Sequence, residues 1–372
     1  HDLTANDAVT TGADFAAIVG NDAVTNGIVT TNGALKWNVG KDLTTNAAVL
    51  SHGRATIDAQ NVNFNADFAS DKNLTITAKN NIFTKEGTKL STKSDGKLKA
   101  HTADLGGDVR ADGTLTIETD DRLAVQNITA GNATLKAGAE LSAKSVNVGG
   151  NADITAGTNL TANDVSVGGD LNAKGQNIHA VHIKSTGKTR LTATTGNITA
   201  KNLSADGTLD AAAKTNLTVD SVTGKGKTVL TAQTGDLTVN GTVRTDADAV
   251  LTADKDVTLA GAFSAKNNAR LTAGQNAKFG GKTDVGETLT AHIGKDLVTN
   301  GAVTTGKELI ANVGNDLAMN DLVSAGGSAS LTVGRNVTLD GALTTGGNFT
   351  ANVVHDLTAN DAVTTGADFA AI

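Results

Sequence analysis

The chain has 372 residues, 42 of them Gly, with eight Phe, one Trp, no Pro, no Cys and a formal net charge of −7. Aromatic residues at 2% exclude the thick cores of the two or three globular domains that this length would ordinarily form, and hydrophobic residues at 39% with so small a net charge exclude a disordered chain. The slight acidic excess argues against nucleic-acid binding, the lack of Cys excludes disulfides and thiol chemistry, and no apolar run of roughly 18 residues exists to span a membrane.

Short acidic or amide residues, most of them followed by an apolar residue, recur along the whole chain with a period close to 20 residues. In chain order these coil starts are Asp2, Asp22, Asp42, Asn61, Asn81, Asp104, Asp121, Glu140, Asn159, Asn177, Asn197, Asn216, Asp236, Asp256, Asn276, Asp296, Asp316, Asn336 and Asp356. Most intervals are 18 to 20 residues, but intervals of 23 and 17 make the register irregular around 81–121. A fixed period of this size is typical of a solenoid.

One coil, residues 296–315, shows what each repeat contains. Leu297 is at coil position 2 and Val303 at position 8, and the third segment alternates apolar residues over 309–313. This period-2 pattern, rich in Thr and Val, predicts three short strands and no helix. Asn300-Gly301 and the related pairs at positions 5 and 6 predict corners with a left-handed backbone, which Gly and Asn tolerate.

Large side chains of the third segment are expected to point inward. Its leading Leu is at position 14 in some coils and at position 16 in others: Leu289 and Leu309, against Leu251, Leu271 and Leu331. A two-residue slip of the strand would keep Leu inward while a coil trades residues between two corners. Trp37 shares parity with inward positions, and Phe349 and Phe369, both at position 14, are predicted to stack inward on adjacent coils.

These patterns predict an all-β fold, a parallel β-helix (β-solenoid) of about 18 coils of roughly 20 residues, as one continuous solenoid over 1–372. The residues do not fix its hand, and we expect a right-handed β-solenoid. Residues 1–18 and 355–372 are identical, an offset of 354 residues. We expect this duplication to reflect a 354-residue super-repeat in a longer tandem array, in which VGNDAVTNG follows Ile372 as it follows Ile18.

Two clusters deserve a test for catalysis or metal binding. Asp246, Asp248 and Asp254 are close in sequence, and β-helical polysaccharide-degrading enzymes use paired acids. The alternatives are a weak calcium site or corner residues that bind nearby backbone N–H groups, and we favour corners. His179 and His182, three apart on a strand, are expected on opposite faces with no third ligand. We therefore predict no catalytic, cofactor-binding or metal residues, no cofactor, and no enzyme activity.

Two short motifs recur. Three GKT tripeptides, at 187–189, 226–228 and 281–283, lack the first Gly of a phosphate-binding loop and are interpreted as turns. Eight N-x-T sequons are explained either by a turn Asn that enters a strand or by glycosylation of a surface protein. Their asparagines are Asn73, Asn127, Asn132, Asn159, Asn197, Asn216, Asn336 and Asn348.

Coils such as DLTTNAAVLSHGRATIDAQN (42–61), NLTITAKNN (73–81) and TLTIETD (114–120), with few aromatic residues and no Cys or Pro, resemble the central repeats of filamentous haemagglutinin-like exoproteins of two-partner secretion. That family includes adhesins and the stalks of contact-dependent inhibition toxins, and the resemblance covers essentially the whole chain. It implies a right-handed β-helical shaft, exported through an outer-membrane β-barrel partner and displayed on the bacterial surface. The family's secretion domain and toxin domains are not visible in this chain, so binding or killing activity is expected outside it.

The function expected from these observations is a structural spacer that projects a functional tip from the cell. The alternative is a repetitive face that binds a glycan or neighbouring rods, and a polysaccharide-degrading enzyme is the third option. Ice binding would require a continuous Thr ladder, which the isolated Thr75 and Thr77 and the adjacent Thr304 and Thr305 do not form. The predicted location is extracellular, with contacts to adjacent repeats, other rods or a cell surface, and without nucleic acid or a membrane span.

Overall fold

The computed structural model describes residues 1–372 and contains 46 β-strands and no helix. Strands pair in parallel with the corresponding strand of the next coil, as β1 does with β4 through Leu3 and Ala23. The fold is the predicted parallel β-solenoid of about 18 turns. Two compact units divide the chain, His1–His182 and Ile183–Ile372.

The first unit contains strands of very different length. They are β1 (Leu3–Ala5), β2 (Val9–Thr11), β3 (Phe15–Val19), β4 (Ala23–Thr25), β5 (Val29–Thr31), β6 (Leu35–Val39), β7 (Asp42–Thr45), β8 (Val49–Ser51), β9 (Ala55–Phe64), β10 (Phe68–Ser70), β11 (Leu74–Thr84), β12 (Lys89–Thr92), β13 (Gly96–Ala100), β14 (Thr102–Thr119), β15 (Leu123–Ala137), β16 (Leu141–Val148), β17 (Ala152–Ala156), β18 (Asn159–Val167) and β19 (Leu171–Gly175). The division between the units falls within β20 (Asn177–Ser185).

The second unit begins with longer strands and then settles into strands of three, three and five residues. They are β21 (Thr189–Ala193), β22 (Ile198–Ala205), β23 (Leu209–Ala213), β24 (Leu217–Gly224), β25 (Thr228–Ala232), β26 (Leu237–Val239), β27 (Val243–Thr245), β28 (Ala249–Ala253), β29 (Val257–Leu259), β30 (Phe263–Ala265), β31 (Ala269–Ala273), β32 (Ala277–Phe279), β33 (Thr283–Val285), β34 (Leu289–Ile293), β35 (Leu297–Thr299), β36 (Val303–Thr305), β37 (Leu309–Val313), β38 (Leu317–Met319), β39 (Val323–Ala325), β40 (Ala329–Val333), β41 (Val337–Leu339), β42 (Leu343–Thr345), β43 (Phe349–Val353), β44 (Leu357–Ala359), β45 (Val363–Thr365) and β46 (Phe369–Ala371).

Every coil supplies a thin slice of core from alternating residues. In the coil formed by β35, β36 and β37, the first and last residue of each strand and the middle residue of β37 are buried. Side chains alternate between the two faces of a strand, so three strands place seven side chains inside. The core therefore consists of stacked columns of Leu, Val, Ala, Ile and Thr rather than a thick apolar centre.

In the middle of the chain, the three segments of a coil run together into longer strands. β14 and β15 each carry a whole coil, with register shifts at the corners of β14, and β16 and β18 each join two segments. Inward alternation survives each shift because the extra residues are taken up at the bend. Three segments per coil are therefore kept, although they are not always separate strands.

Strand pairing corrects two predicted coil starts. Ile82 pairs with Ala103 and Ala103 with Leu123, so position 1 is taken by Thr102 and Arg122 rather than by Asp104 and Asp121. The preceding coil contains an additional turn over 85–88. For this reason Phe68 pairs with Leu90, which is 22 residues later in the chain. This local insertion made the sequence period misleading.

The expected two-residue slip of the third segment is wrong. Ala269 pairs with Leu289 while Leu271 pairs with Ala291, so β31 and β34 stay in the same register. The large side chain moves between two inward positions of a fixed strand, and β31, β34, β37 and β40 each keep one Leu and one Ala there. Constant side-chain volume can fill a core of constant cross-section without any shift of the backbone.

The aromatic residues confirm two predictions about the core. Trp37 is 2% exposed and packs edge-on against Phe68, with ring centroids 6.4 Å apart. Phe349 and Phe369 pair on adjacent coils, with centroids 5.4 Å apart. Phe349 is 1% exposed, whereas Phe369 is 54% exposed because only one side of the last coil is covered.

The Asn-Gly corners do not use the predicted left-handed backbone. Gly87, with φ of 81°, is the only residue in that region of conformational space. At Gly301 the requirement is space, because an added Cβ would lie 2.6 Å from the carbonyl carbon of Gly281 one coil below. Close stacking of corners, rather than an unusual φ, selects Gly at such positions.

Candidate functional site

The residues that open the coils form a ladder of hydrogen bonds between coils. In the second unit, the side-chain oxygen at each coil start accepts the backbone N–H of the next coil start, without a break. The members are Asn197, Asn216, Asp236, Asp256, Asn276, Asp296, Asp316, Asn336 and Asp356. The backbone N–H that each opening residue binds belongs to the neighbouring coil. The ladder therefore joins coils and is structural.

A second ladder runs along the corner after the first strand of each coil. The side-chain amide of Asn26 donates to Asn6, that of Asn46 to Asn26 and that of Asn65 to Asn46, at 2.9, 2.9 and 2.8 Å. Asn suits this arrangement because its amide carries both donors and an acceptor. The frequent turn asparagines thus have partners one coil away.

The fold does not bring Asp246, Asp248 and Asp254 together into a cluster. Asp248 accepts the backbone N–H of Asn268 at 3.2 Å, and Asp246 pairs with Arg244 at 3.4 Å. Asp254 follows the five residues of β28, whose length separates it from the other two by more than about 13 Å at 3.3 Å per residue. No group of three or more His, Asp or Glu in the molecule could hold a metal ion.

The two His side chains of the HxxH motif lie on the same side of the chain, contrary to our expectation. Both His179 and His182 are exposed, while Ile178, Ala180 and Ile183 are buried. A corner at position 181 interrupts the alternation of β20, so residues three apart both face outward. The structure offers no third ligand beside them.

The GKT tripeptides and the N-x-T sequons also have structural roles in the solenoid. In all three GKT tripeptides the Thr is buried and points into the core, so its hydroxyl is not available to a phosphate: Thr189, Thr228 and Thr283. All eight sequon asparagines make side-chain hydrogen bonds to the coil before or after them: Asn73, Asn127, Asn132, Asn159, Asn197, Asn216, Asn336 and Asn348. N-x-T is therefore the residue pattern of strand entry here.

Outward threonines form only short columns. Thr75 lies between Thr56 and Lys97, and Thr77 lies between Asp58 and Lys99. In the Thr304-Thr305 pairs the second residue is buried. One outward column, Thr199, Thr218, Thr238 and Thr258, extends over four coils and ends at Lys278. No Thr ladder therefore continues along the whole solenoid.

Phe83 is the one aromatic residue at an outward position. It lies in β11 between the buried Ile82 and Thr84, and it is half-buried on the outer face. The other aromatic residues occupy inward positions of their strands. Ile82, at coil position 2, is the sequence signal that could have placed Phe83 outside.

Phe83 stands at one end of a cleft that crosses several coils of the first unit. Cα pairing places Asp104 beside Phe83 and Ala124 beside Asp104. Ser142 and then Thr161 continue the same outward column. Beyond Asp104 this column has small side chains, which form the floor of the cleft.

Longer polar side chains stand on both sides of that floor. Arg122 lies on the side where the strand segments begin, and Gln126, Lys144 and Asn163 lie on the side where they end. The space has two adjoining parts of about 310 and 270 Å³, which share Asp104 and Arg122. Together they reach the lower part of the size range of small-molecule sites. We call this space the Phe83 cleft.

Two glycines shape the bend at the edge of the Phe83 cleft. A Cβ on Gly106 would lie 2.9 Å from the carbonyl oxygen of Thr84, and one on Gly107 would lie 2.6 Å from the hydroxyl of Thr88. The Gly107 N–H donates to the Thr84 hydroxyl at 3.0 Å. Backbone packing this close brings β14 against the turn that follows Phe83.

The charged groups of the Phe83 cleft have no partners within the chain. Asp104, Arg122 and Lys144 make no ion pair and no side-chain hydrogen bond. A second cleft of about 530 Å³, on the outer face of the next strand segments, differs in this respect. There Arg110 pairs with Asp112 at 2.9 Å and Asn127 donates to Asp108 at 2.8 Å.

A three-residue charge network lies elsewhere in the first unit. Asp71 contacts His52 and Lys93 from the neighbouring coils, each at 2.8 Å. Hydrogen bonds from Lys93 and then His52 lower the pKa of the Asp71 carboxyl below its ordinary value. Asp71 is half-buried while His52 and Lys93 are exposed, and the three residues together link three coils. We interpret this network as structural.

The fold and these surfaces define the chain as a parallel β-solenoid repeat protein in which neighbouring coils stabilise one another. No protein-family model, curated protein or solved structure matches it. None of its segments forms a helix able to cross a membrane.

Proposed function

We propose that the chain is the shaft of a secreted bacterial surface protein of the filamentous haemagglutinin-like kind, and that it holds a functional tip away from the cell. The observation that supports this proposal best is the ladder that runs from Asn197 to Asp356 without a break. The same hydrogen bond, from a backbone N–H to a side-chain oxygen, recurs between each pair of adjacent coils there. Such a stack can be lengthened coil by coil without change to its local structure.

The same proposal includes export and the absence of catalysis. We infer an extracellular location and passage through an outer-membrane β-barrel partner, on the resemblance of coils such as 42–61 to exoprotein repeats. The acidic residues that an enzyme would need close together are used singly, as Asp248 is in its hydrogen bond to Asn268. We therefore assign no reaction to the shaft.

Deletion of one whole coil tests the shaft. Removal of residues 297–316 joins Asp296 to Leu317, and Leu317 then takes the place of Leu297 above Ala277 because the two Leu residues occupy the same column. We expect the shortened protein to keep its β-sheet circular dichroism spectrum and a cooperative thermal transition. Its display on the cell surface, measured with an antibody, should also persist.

The matched control removes half a coil, residues 297–306, and breaks the inward columns. This variant should lose its cooperative transition and its surface display. A whole-coil deletion that unfolds the chain as severely as the half-coil deletion would contradict the shaft. Export is tested separately in a Gram-negative host with and without the β-barrel partner, and equal secretion in both would contradict the secretion route.

A further inference from the structure

We propose that the Phe83 cleft binds an oligosaccharide that contains carboxylated sugars, with Phe83 as the stacking surface and Asp104, Arg122, Gln126, Lys144 and Asn163 as polar contacts. This activity goes beyond the shaft function and does not depend on it. The cleft is confined to a few coils of the first unit, so the proposal describes a local site on a repetitive scaffold.

The first observation that supports an oligosaccharide ligand is the outward position of Phe83. Large apolar side chains are scarce here, and the fold buries the other aromatic rings in the core or places them at inward positions of the terminal coils. An aromatic ring on the outer face presents a flat apolar surface beside polar neighbours. The C–H face of a sugar ring is a flat apolar surface of the same size, and its hydroxyls project sideways toward such neighbours.

The second observation is the shape of the Phe83 cleft and the amide groups along its wall. Ala124, Ser142 and Thr161 lie one coil apart along the floor, at about 4.8 Å per coil. An extended chain of sugars is long and narrow, and it fits a shallow channel of that kind. Amides of Gln126 and Asn163 on one wall carry both donors and acceptors, which hydroxyl groups require.

The third observation is that the charged side chains of the Phe83 cleft have no partners within the chain. Arg122 and Lys144 line the cleft together with a single carboxylate, that of Asp104, and none of the three has a partner in the chain. A guanidinium binds a carboxylate through two parallel hydrogen bonds, while Asp104 can accept from sugar hydroxyls. This balance favours a sugar that carries a carboxylate over an uncharged one.

The fourth observation is that the solenoid is irregular at the Phe83 cleft. The cleft lies where the solenoid departs from its regular coil: the turn over 85–88 with Gly87 at φ 81°, the bend at Gly106 and Gly107, and the merged strands β14 and β15. A scaffold that only stacked coils would have no need of this departure. Exceptions to local rules concentrate at functional sites.

Binding is measured by isothermal titration with the full chain and three hexasaccharides: galacturonate, mannuronate and hyaluronan fragments. Maltohexaose is the uncharged comparison. We expect at least one acidic hexasaccharide to bind, and maltohexaose to bind at least tenfold more weakly. Phe83→Ala and Arg122→Ala should each weaken binding at least tenfold, whereas Phe83→Tyr should retain it.

Arg110→Ala is the matched control, since Arg110 is an outward arginine in the neighbouring cleft and already pairs with Asp112. Circular dichroism and thermal unfolding of every variant establish that the solenoid is intact. The proposal is overturned if no acidic hexasaccharide binds at millimolar concentration, if maltohexaose binds equally well, or if Phe83→Ala and Arg110→Ala have the same effect. None of these results bears on the whole-coil deletion, so this site and the shaft function fail independently.

Discussion

The carboxylate of Asp316 accepts two hydrogen bonds from Asn336 one coil further along, from its backbone N–H at 3.1 Å and from its side-chain amide at 3.0 Å. The Asn336 oxygen in turn accepts the N–H of Asp356. A corner N–H that would otherwise face water is thus bonded by the coil below it. This relationship explains why short side chains with an oxygen, and not Lys or Glu, open nearly every coil.

Replacement of Asp316 by Ala should lower the free energy of unfolding by about 1–2 kcal/mol, because both donors of Asn336 lose their acceptor. Asp316→Asn keeps an oxygen at the same place and should cost less. Urea unfolding followed by circular dichroism measures both. Asp254→Ala is the control, since that exposed carboxylate makes no hydrogen bond, and an equal loss in all three variants would contradict the ladder.

Gly314→Ala should destabilise the second unit by about 1–3 kcal/mol, the usual cost of overpacking. Its added methyl group would be driven into the carbonyl oxygen of Gly294, since the glycines of these corners stack directly on one another. Gly12→Ala is the matched change, because nothing lies within 4 Å of its added Cβ. Thermal unfolding that shows the two variants to be equally stable would disprove close corner stacking.

Much of the fold follows from the sequence because inward and outward positions alternate along each straight strand segment between corners. That rule placed Trp37 inside correctly, and the same rule, applied from Ile82, places Phe83 outside. The partner of a ladder residue such as Asp316 could not be predicted, since nothing in a single coil tells whether its acceptor serves its own turn or the next coil. The Phe83 cleft depends on the bend at 106–107, a backbone feature that periodicity does not encode.

Leu271→Ala should cost about 2–5 kcal/mol, the range observed when a buried Leu is truncated. Leu271 is 1% exposed and is the one large residue among the inward positions of β31, where Ala269 and Ala273 are its inward neighbours. No rearrangement of a five-residue strand held in register on both sides can fill the space left behind. Thr272→Ala, an outward change in the same strand, should cost less than about 0.5 kcal/mol in the same unfolding experiment. Equal effects would mean that β31 is turned the other way.

The Asp71 carboxyl should titrate below its ordinary value of 3.8, because the charged form is stabilised first by the hydrogen bond from Lys93 and then by that from His52. A carboxyl whose pKa is lower in the folded state contributes stability above its unfolded pKa, and that contribution is lost as the pH falls through the folded pKa. The stabilising contribution of this network is therefore expected at pH values above about 4, and it should be lost in more acidic solution. NMR titration of the side-chain carboxyl carbon measures the midpoint directly. Lys93→Ala should raise the midpoint more than His52→Ala does, and a midpoint that neither variant moves would show that the two contacts at 2.8 Å are not formed in solution.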